Sequence, residues 1–404
     1  MTSWKTYKLG GICDYVTSRT TNIENYISTE NMLPNKGGVC TPSNVPSGAA
    51  IEYKVGDILI SNIRPYFHKI WQADCDGACS ADVLCIRANN KADNKFLYYL
   101  LSQQLFFDYV MSGAKGCKMP RGDKKQIMQW QISLPGLEEQ RRIAGILGAI
   151  DDKIENNRRI NTNLEQQAQA LYKQWFVDFN FPNEDGKPYK SSGGKMVDSE
   201  LGLIPEGWRV GNIGGYCKIR SGYAFKSSWW TDRGVKIIKI KNITENGVLD
   251  MSECSYVDIK HCDKASDFNG HAGDLIIAMT GATLGKVCII PYHTTDYYIN
   301  QRVGKFFLGD NPINKLPFIH CILRDENVMS EIINKGQGSA QPNISASDVE
   351  TIKIVMPSYY IMDKFNLLLQ SNYALWLKNM AEVNSFATLR DTLLPKLMNG
   401  EIKL

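Results

Sequence analysis

The sequence lacks several features that would assign its class at once. No apolar run approaches the roughly 18 residues that a membrane span requires, so no membrane partner is expected. The first residues contain no apolar core of a secretion signal. The 11 cysteines are odd in number and include no Cys-x-x-Cys pair. Without a secretion signal, this favours reduced thiols and a cytoplasmic location.

The sequence also lacks a convincing catalytic or metal-binding constellation. The 5 histidines form no i, i+4 pair, and the cysteines have no second ligand pair at zinc-finger spacing. The loop from Gly281 to Val287 is one residue short of a phosphate-binding loop and lacks its final serine or threonine. We therefore expect no catalytic residue, no metal and no cofactor bound by this chain, and no enzyme activity of its own.

An internal repeat is the most informative feature that is present. Trp4–Cys13 returns as Trp208–Cys217, and residues 116–135 match residues 338–357 without a gap, at an offset of 222. With 404 residues, 43% hydrophobic and 22% charged, the chain is typical of a globular protein of two to three domains. A net charge of +4 permits nucleic-acid binding without requiring it. Two similar domains can present two similar surfaces to one long target.

Two long helices are predicted, one after each copy of the repeat. From Leu137 to Phe179, apolar and amide residues alternate in steps of three and four over about five heptads, which gives a helix of roughly 60 Å. The 222-residue offset yields a rougher second seam over residues 362–397. An antiparallel coiled coil is favoured over two unrelated surface helices. Asn157 and Asn379 lie near the two midpoints, where they would face each other and fix the register.

These patterns predict an α/β (α+β) fold with a pseudo-twofold internal repeat. Two similar mixed domains occupy residues 1–135 and 208–357, and each is rich in short β-like runs. Helical segments occupy residues 136–180 and 358–404, and a Pro-, Gly- and Ser-rich connecting segment spans residues 181–207. A further helix is predicted near Lys95 to Met111.

Loop residues after the β-like runs predict a recognition surface. Lys69 and Lys286 keep the same place at an offset of 217, whereas the residues before them differ. A fixed cation beside a variable stretch suits phosphate contact next to base readout, and amides or guanidinium groups can read adenine and guanine edges. Ordinary exposed loop residues are the alternative. The predicted DNA-binding residues are Arg64, Tyr66, Lys69, Lys118, Arg121, Lys226, Thr280, Lys286, Gln301, Arg302, Gln341 and Asn343.

The chain resembles a known family over essentially its whole length. The most specific stretch reads Trp175-Phe176-Val177-Asp178-Phe179, later Gly186-Lys187-Pro188-Tyr189-Lys190, and then Ile204-Pro205-Glu206-Gly207-Trp208. The start of the first helix and the strings Ser221-Gly222-Tyr223-Ala224-Phe225-Lys226 and Asn300-Gln301-Arg302 are similar to recurrent strings of the same family. That family is the specificity (S) subunits of type I restriction–modification systems. In a departure from its pattern, the second helix opens with Tyr359-Tyr360-Ile361-Met362, without the Glu-Glu-Gln of the first.

The resemblance implies that each mixed domain is a target-recognition domain reading one half of a split, asymmetric DNA site. It implies two modification subunits that carry S-adenosylmethionine and methylate adenine N6. Restriction subunits that use ATP and Mg²⁺ are a possible further partner. The residues implied in partner binding are Glu138, Glu139, Gln140, Trp175 and Phe176.

Three alternatives remain open. The first is a specificity subunit of a methylation-only or fused nuclease–methylase system. The second is a stand-alone enzyme with a cryptic site, and the third is a coiled-coil adaptor that binds no DNA.

Overall fold

The computed structural model describes residues 4–116, 118–337, 342–402 and 404. The chain divides into two compact units. Unit 1 comprises residues 1–153 and 386–404, and unit 2 comprises residues 154–385. Both boundaries fall inside long helices, so each unit contains one sheet-and-helix domain together with part of each long helix.

Unit 1 is built around a four-stranded antiparallel sheet of order β2-β8-β5-β6, with a three-stranded sheet β3-β4-β7 and a separate pair β1-β9. All four residues of its central strand β5 are buried, as expected for an apolar run in a covered sheet. The strands are β1 (Lys5–Lys8), β2 (Cys13–Tyr15), β3 (Arg19–Thr20), β4 (Ala50–Tyr53), β5 (Ile58–Ser61), β6 (Ile70–Gln72), β7 (Gly77–Cys79), β8 (Val83–Ala88) and β9 (Gln131–Leu134).

The helices of unit 1 are α1 (Asn94–Leu101), α2 (Gln104–Ser112), α3 (Lys124–Ile127) and the first half of α4 (Leu137–Tyr172). Asp93 caps α1 by accepting the backbone N–H groups of Lys95 and Phe96, both at 3.0 Å. The single helix predicted near Lys95 to Met111 is wrong in its continuity. It breaks after Leu101, where Ser102 is buried and its hydroxyl donates back to the Tyr99 carbonyl at 2.9 Å.

Unit 2 repeats the four-stranded sheet in the order β13-β21-β18-β19 and the separate pair as β12-β22. It adds a five-stranded sheet, β14-β16-β15-β20-β17, that contains the parallel pair β15–β20. The strands are β10 (Met196–Ser199), β11 (Gly202–Pro205), β12 (Arg209–Asn212), β13 (Lys218–Ser221), β14 (Trp230–Thr231), β15 (Val235–Ile238), β16 (Ser255–Val257), β17 (Asn269–Gly270), β18 (Leu275–Ala278), β19 (Val287–Ile289), β20 (Tyr297–Ile299), β21 (Val303–Phe307) and β22 (Lys353–Met356).

The remaining helices are α5 (Ile213–Tyr216), α6 (Leu316–Leu323), α7 (Glu326–Lys335), α8 (Ala346–Glu350) and α9 (Tyr359–Met398). The first long helix was predicted to reach Phe179. The regular helix α4 ends at Tyr172, and a π-helical turn, Lys173–Val177, continues it. The segment predicted as a connector, residues 181–207, contains the hairpin β10-β11. It also packs into the core of unit 2, where the rings of Phe181 and Trp208 stack at 4.8 Å.

Both long helices contribute directly to the cores of the units. In unit 1, Ile143 and Leu147 of α4 share a buried cluster with Leu394 and Leu397 of α9. In unit 2, the ring of Phe176 packs against Phe365 of α9, 4.9 Å between centroids. Each such buried side chain contributes about 1.5–3 kcal/mol relative to exposure, so the helices are integral to the domains. In the described part of the chain, no helix is long and apolar enough to cross a membrane.

Candidate nucleic-acid interface

A strand–turn–strand hairpin, entered through a Gly-Asp dipeptide, occurs once in each unit. The dipeptides are Gly56-Asp57 before β5 and Gly273-Asp274 before β18. The glycines adopt φ of 89° and 87°, a left-handed conformation that favours glycine. Each aspartate accepts a backbone N–H three residues upstream at 2.8 Å. This turn chemistry explains why the dipeptide recurs in the sequence.

The two aspartates are buried and each binds a cation on the sheet. Asp57 accepts from Nε and Nη2 of Arg87, both at 2.7 Å, and this contact raises the pKa of the Arg87 guanidinium. Asp274 lies 2.7 Å from Nζ of Lys305, which also donates to the Asn269 carbonyl at 2.8 Å. The ion pairs anchor the base of each hairpin, and the turns at the other end are free to present side chains.

The turn of each hairpin lies against a second segment, through the same backbone contacts. In unit 1, the N–H of Arg64 donates to the carbonyl of Pro120 at 2.8 Å, and Ile63 pairs with Arg121. In unit 2, the N–H of Gly281 donates to the carbonyl of Pro342 at 2.8 Å, and Thr280 pairs with Asn343. The positions correspond at the offsets of 217 and 222 seen in the sequence. The structure thus brings Arg64 beside Arg121 in one unit, and Thr280 beside Asn343 in the other.

A third segment joins this surface in unit 2. The N–H of Met279 donates to the carbonyl of Arg302, and the N–H of Gln301 donates to that of Tyr223, both at 3.0 Å. Gln301 and Arg302 therefore adjoin the turn on one side, and on the other side they adjoin the loop that leads to Lys226. In unit 1 the corresponding contact is from the N–H of Asn62 to the Asp82 carbonyl, at 2.8 Å.

Most of the predicted DNA-binding side chains are exposed on these surfaces. They are Arg64, Tyr66, Lys118, Arg121, Lys226, Gln301, Arg302 and Asn343. Gln341 lies outside the described residues. The prediction for Thr280 is wrong as a side-chain contact, because its side chain is buried at 4% exposure and cannot reach a base.

The two lysines predicted to hold phosphates are only half-buried, and both are already engaged within the protein. Nζ of Lys69 donates to the Thr29 carbonyl at 2.7 Å, and burial lowers the pKa of Lys69. Nζ of Lys286 lies 3.1 Å from the carboxylate of Glu245. A phosphate would have to compete with these partners, so the role of the two lysines stays a prediction.

Three of the five residues implied in partner binding lie in the interior. Gln140 is 1% exposed and bonds to the backbone of Asp93, Lys91 and Pro135. Trp175 and Phe176 are buried in the aromatic core of unit 2. Enclosed side chains cannot contact a partner directly, so the interpretation of these three was wrong. Glu138 is exposed and Glu139 half-buried at the start of α4, and their role stays a prediction.

The two asparagines predicted to set the helix register are buried and bond between α4 and α9. Nδ2 of Asn157 donates to Glu382 at 2.9 Å, and Nδ2 of Asn379 donates to Asn161 at 3.0 Å. Each amide therefore binds a side chain about one turn away from the other asparagine. As the residue numbers of these contacts rise along α4, those of their partners on α9 fall. The bond between Asp151 and Arg390, within unit 1, follows the same order.

Sequence reasoning missed an aromatic and cationic cluster in unit 2. The rings of Trp229 and His261 stack at 4.4 Å with an interplanar angle of 5°, and Nζ of Lys226 lies 5.3 Å from the Trp229 ring. Nζ of Lys239 lies 3.5 Å from the Trp230 ring. The Trp229-Trp230 pair was the available signal, because the faces of tryptophan rings attract nearby lysine ammonium groups, and both rings are half-buried here. Among residues 4–116, 118–337, 342–402 and 404, no three His, Cys, Asp or Glu side chains could hold a metal ion.

The same four-stranded sheet, with a polar loop surface at its turn, thus occurs in both units. The chain matches the model of the family described as type I restriction modification DNA specificity domain, over residues 1–166 and 205–375. It therefore belongs to this family, and the resemblance noted in the sequence is confirmed.

Similar proteins agree with this assignment. The type I restriction enzyme HindI specificity subunit of Haemophilus influenzae is 26% identical over 470 residues, covering 100% of each chain. The MjaIX specificity subunit of Methanocaldococcus jannaschii is 27% identical over 315 residues, covering 77% of this chain and 69% of that one. The crystal structure of the type I S subunit from M. genitalium has a TM-score of 0.54, with 17% identity and coverage of 98% and 96%. At that identity the structural likeness shows the fold alone.

Proposed function

We propose that this chain recognises a bipartite, asymmetric DNA sequence, with unit 1 reading one half and unit 2 the other. The observation that carries the proposal is the repeated surface. The same backbone contacts hold both turns, at Arg64 with Pro120 and at Gly281 with Pro342, whereas the side chains on the two turns differ. Two readers on the same scaffold with different side chains read different bases.

The proposed division of labour follows from the chemistry of each surface. Unit 1 offers exposed guanidinium groups at Arg64 and Arg121, which suit guanine edges and phosphates. Unit 2 offers Gln301, Arg302 and Asn343, which combine amides suited to adenine with one guanidinium. Half-sites of different base composition are therefore expected.

The helices α4 and α9 are proposed to act as an antiparallel coiled-coil spacer that sets the distance between the half-sites. Support comes from the opposite sense of the contacts between the helices, Asn157 with Glu382 and Asn161 with Asn379. Buried amides in an apolar seam specify register at some cost in stability. The readers are expected about one helical turn of DNA apart, roughly 10 bp centre to centre.

The partners proposed are two methyltransferase subunits that carry S-adenosylmethionine and methylate adenine. The chain itself then acts as the non-catalytic DNA-targeting subunit. Restriction subunits that use ATP and Mg²⁺ are proposed as a further addition. Glu138 and Glu139 on α4 remain the proposed contacts, and the corresponding start of α9 carries Tyr359 and Tyr360, both exposed. The two ends are therefore proposed to bind their partners by different chemistry.

The test is to express this chain with its methyltransferase partner and to map methylated adenines in the DNA of the host. A motif of two unlike halves separated by a fixed gap supports the proposal. A palindromic or contiguous motif contradicts the two-reader arrangement, and the absence of any motif contradicts DNA recognition.

A further inference from the structure

The turn of the unit 1 hairpin holds two aromatic rings in solvent. The side chain of Tyr66 is 46% exposed and that of Phe67 is 38% exposed, and their ring centroids lie 4.6 Å apart. Phe67 has no hydrogen-bonding group, so it can take part in recognition only through apolar or stacking contacts. Exposure of adjacent apolar rings is unfavourable in the free protein, and a bound partner would remove that penalty.

The backbone presents these rings in a fixed conformation. Arg64 and His68, on either side of the turn, have φ of 51° and 49°, the left-handed conformation that non-glycine residues rarely adopt. The turn is braced by a second loop, in which the N–H of Asn35 donates to the Phe67 carbonyl at 2.8 Å and the N–H of Lys36 donates to that of His68 at 3.0 Å. Strained backbone that is held by several hydrogen bonds is typical of functional sites.

Cationic residues lie on the same turn as the aromatic tip and on the segment that bonds to this turn. Arg64 begins the turn, and the neighbouring segment carries Lys118 and Arg121, all three of them exposed. Arg121 is weakly paired with Asp82 at 3.4 Å. An apolar tip beside exposed cations complements a polyanion whose interior is apolar, which describes the stacked bases of a duplex between its phosphates.

The corresponding turn of unit 2 has no aromatic residue. The 217-residue offset places Ala282 and Thr283 where unit 1 has Pro65 and Tyr66. The turn bonds to its neighbouring segment in the same way, and its left-handed positions are glycines, Gly281 and Gly285, which adopt that conformation without strain. The aromatic tip is thus a special feature of unit 1 on a shared scaffold.

We infer that Tyr66 and Phe67 form a wedge that inserts between two adjacent base pairs of the half-site read by unit 1, whereas unit 2 reads its half-site without unstacking it. This inference rests on the proposed function. Insertion requires local unstacking, which is least costly at pyrimidine–purine steps. The unit 1 half-site should therefore contain a TA or CA/TG step, which is read through its deformability.

Two other contacts are chemically open to these side chains, and each has its own signature. The ring of Phe67 could lie against a thymine methyl group in the major groove, and the hydroxyl of Tyr66 could bond to a base edge. Replacement of thymine by uracil removes only the methyl group, and Tyr66→Phe removes only the hydroxyl. A wedge is insensitive to both changes.

The experiment uses the whole chain in complex with its methyltransferase partner, on duplexes carrying the mapped motif. The half-site of unit 1 is identified by exchange of residues 1–134. The fluorescent base 2-aminopurine is placed, one position at a time, at purines of each half-site other than the methylated adenine, because its emission rises when it is unstacked. Wild type is compared with Tyr66→Ala, Phe67→Ala and Tyr66→Phe. Val55→Ala is the matched control, since Val55 is also apolar and 61% exposed but lies before β5, at the opposite end of that strand.

We expect the emission of 2-aminopurine to rise severalfold at one step of the half-site read by unit 1. No rise is expected in the half-site read by unit 2. Tyr66→Ala or Phe67→Ala should abolish the rise and weaken binding about tenfold, the loss expected for one stacking contact. The emission and the binding affinity should both stay within twofold of wild type for Tyr66→Phe, for Val55→Ala and for uracil substitution. The wedge is refuted if 2-aminopurine emission rises at no position. It is also refuted if uracil substitution weakens binding as much as Phe67→Ala does. In either case a mapped motif would leave the proposed function intact, whereas the absence of any motif would refute that function.

Discussion

Units 1 and 2 build the same four-stranded sheet and differ in what they attach to it. The shared sheets have equivalent strand orders, β2-β8-β5-β6 and β13-β21-β18-β19. The second sheet has three strands in unit 1 and five in unit 2, where β15 and β20 pair in parallel. The common sheet fixes where the hairpin turn lies, and the rest of each unit can vary without moving that turn. Such a division suits a protein whose two halves must recognise different sequences.

The buried ion pairs under the turns illustrate a second difference. Asp57 and Asp274 are both buried, but the side chain of Arg87 is 44% exposed and that of Lys305 only 7% exposed. Water can solvate Arg87 if its partner is lost, whereas Lys305 would remain as an uncompensated buried charge. Loss of the aspartate's charge should thus be tolerated in unit 1 and should destabilise unit 2.

Exchange of one unit's recognition domain should have the largest effect on function. Replacement of residues 1–134 by the corresponding domain of a relative should change one half of the methylated motif completely and leave the other half intact. The reason is that each unit has its own core and its own turn. Sequencing of methylated adenines before and after the exchange measures this directly, and a change in both halves would show that the units do not read independently.

Neutralising the buried aspartates should separate the two units in stability. Asp274→Asn should destabilise unit 2 by about 3–5 kcal/mol, because Lys305 is left buried without its partner. Asp57→Asn should cost unit 1 only about 1–2 kcal/mol, because Arg87 remains hydrated. Hydrogen exchange of peptides covering β18 and β21, or β5 and β8, reports each unit separately.

The control for this comparison is the double variant. Lys305→Met in the Asp274→Asn background should restore much of the lost protection, since it removes the buried charge. Arg87→Met should give little recovery in the Asp57→Asn background. Equal losses in the two single variants would show that the exposure of the cation does not decide the cost.

Acid should destabilise unit 2 through a buried histidine. Burial, with a smaller contribution from Arg324, lowers the pKa of His320 to about 3, and its Nδ1 lies 2.9 Å from the hydroxyl of Tyr373. The unfolded chain binds this proton near pH 6.5, whereas the folded chain does not, so stability is full above pH 6.5 and falls towards pH 3. Between pH 7 and pH 5 the loss should be about 2 kcal/mol.

The measurement is hydrogen exchange of unit 2, corrected for the intrinsic effect of pH on exchange. His320→Asn keeps an acceptor near Tyr373 but has no titrating group, so its stability should change little over the same range. In unit 1, burial and then Lys36 also lower the pKa of His68, but this side chain is half-exposed rather than enclosed, so a smaller change is expected. A pH dependence that survives in His320→Asn would assign the effect to another group.

The smallest predicted difference concerns the two equivalent lysines. Lys69 donates to a neutral carbonyl, whereas Lys286 lies beside the carboxylate of Glu245. Lys69→Ala should therefore reduce the salt dependence of DNA binding by about one phosphate contact, a change of roughly 0.9 in slope, and Lys286→Ala should change it little. Glu245→Gln should increase the slope by freeing Lys286. Salt titrations of binding to one duplex provide the measurement, and equal effects of the two alanine variants would contradict the comparison.

The sequence by itself determined the repeat and the two long helices, and its resemblance to a known family gave the class of protein. The repeat and the helices follow from local rules, since Gly56-Asp57 and Gly273-Asp274 encode the same turn and the heptad seam encodes a helix without reference to distant residues. The predicted helix ends and helix breaks were less accurate. The interruption at Ser102 depends on burial of that side chain, which local spacing does not reveal.

Only the tertiary structure decided which side chains face solvent. Trp175, Phe176 and Gln140 belong to the motifs that identified the family, and all three are buried because they join the long helices to the cores of the units. Tertiary packing also paired Asn157 with Glu382 and Asn379 with Asn161, a choice that depends on the stagger of two helices far apart in sequence. Exposure and partner choice arise from contacts between distant segments, and residue spacing along one chain carries no direct information about either.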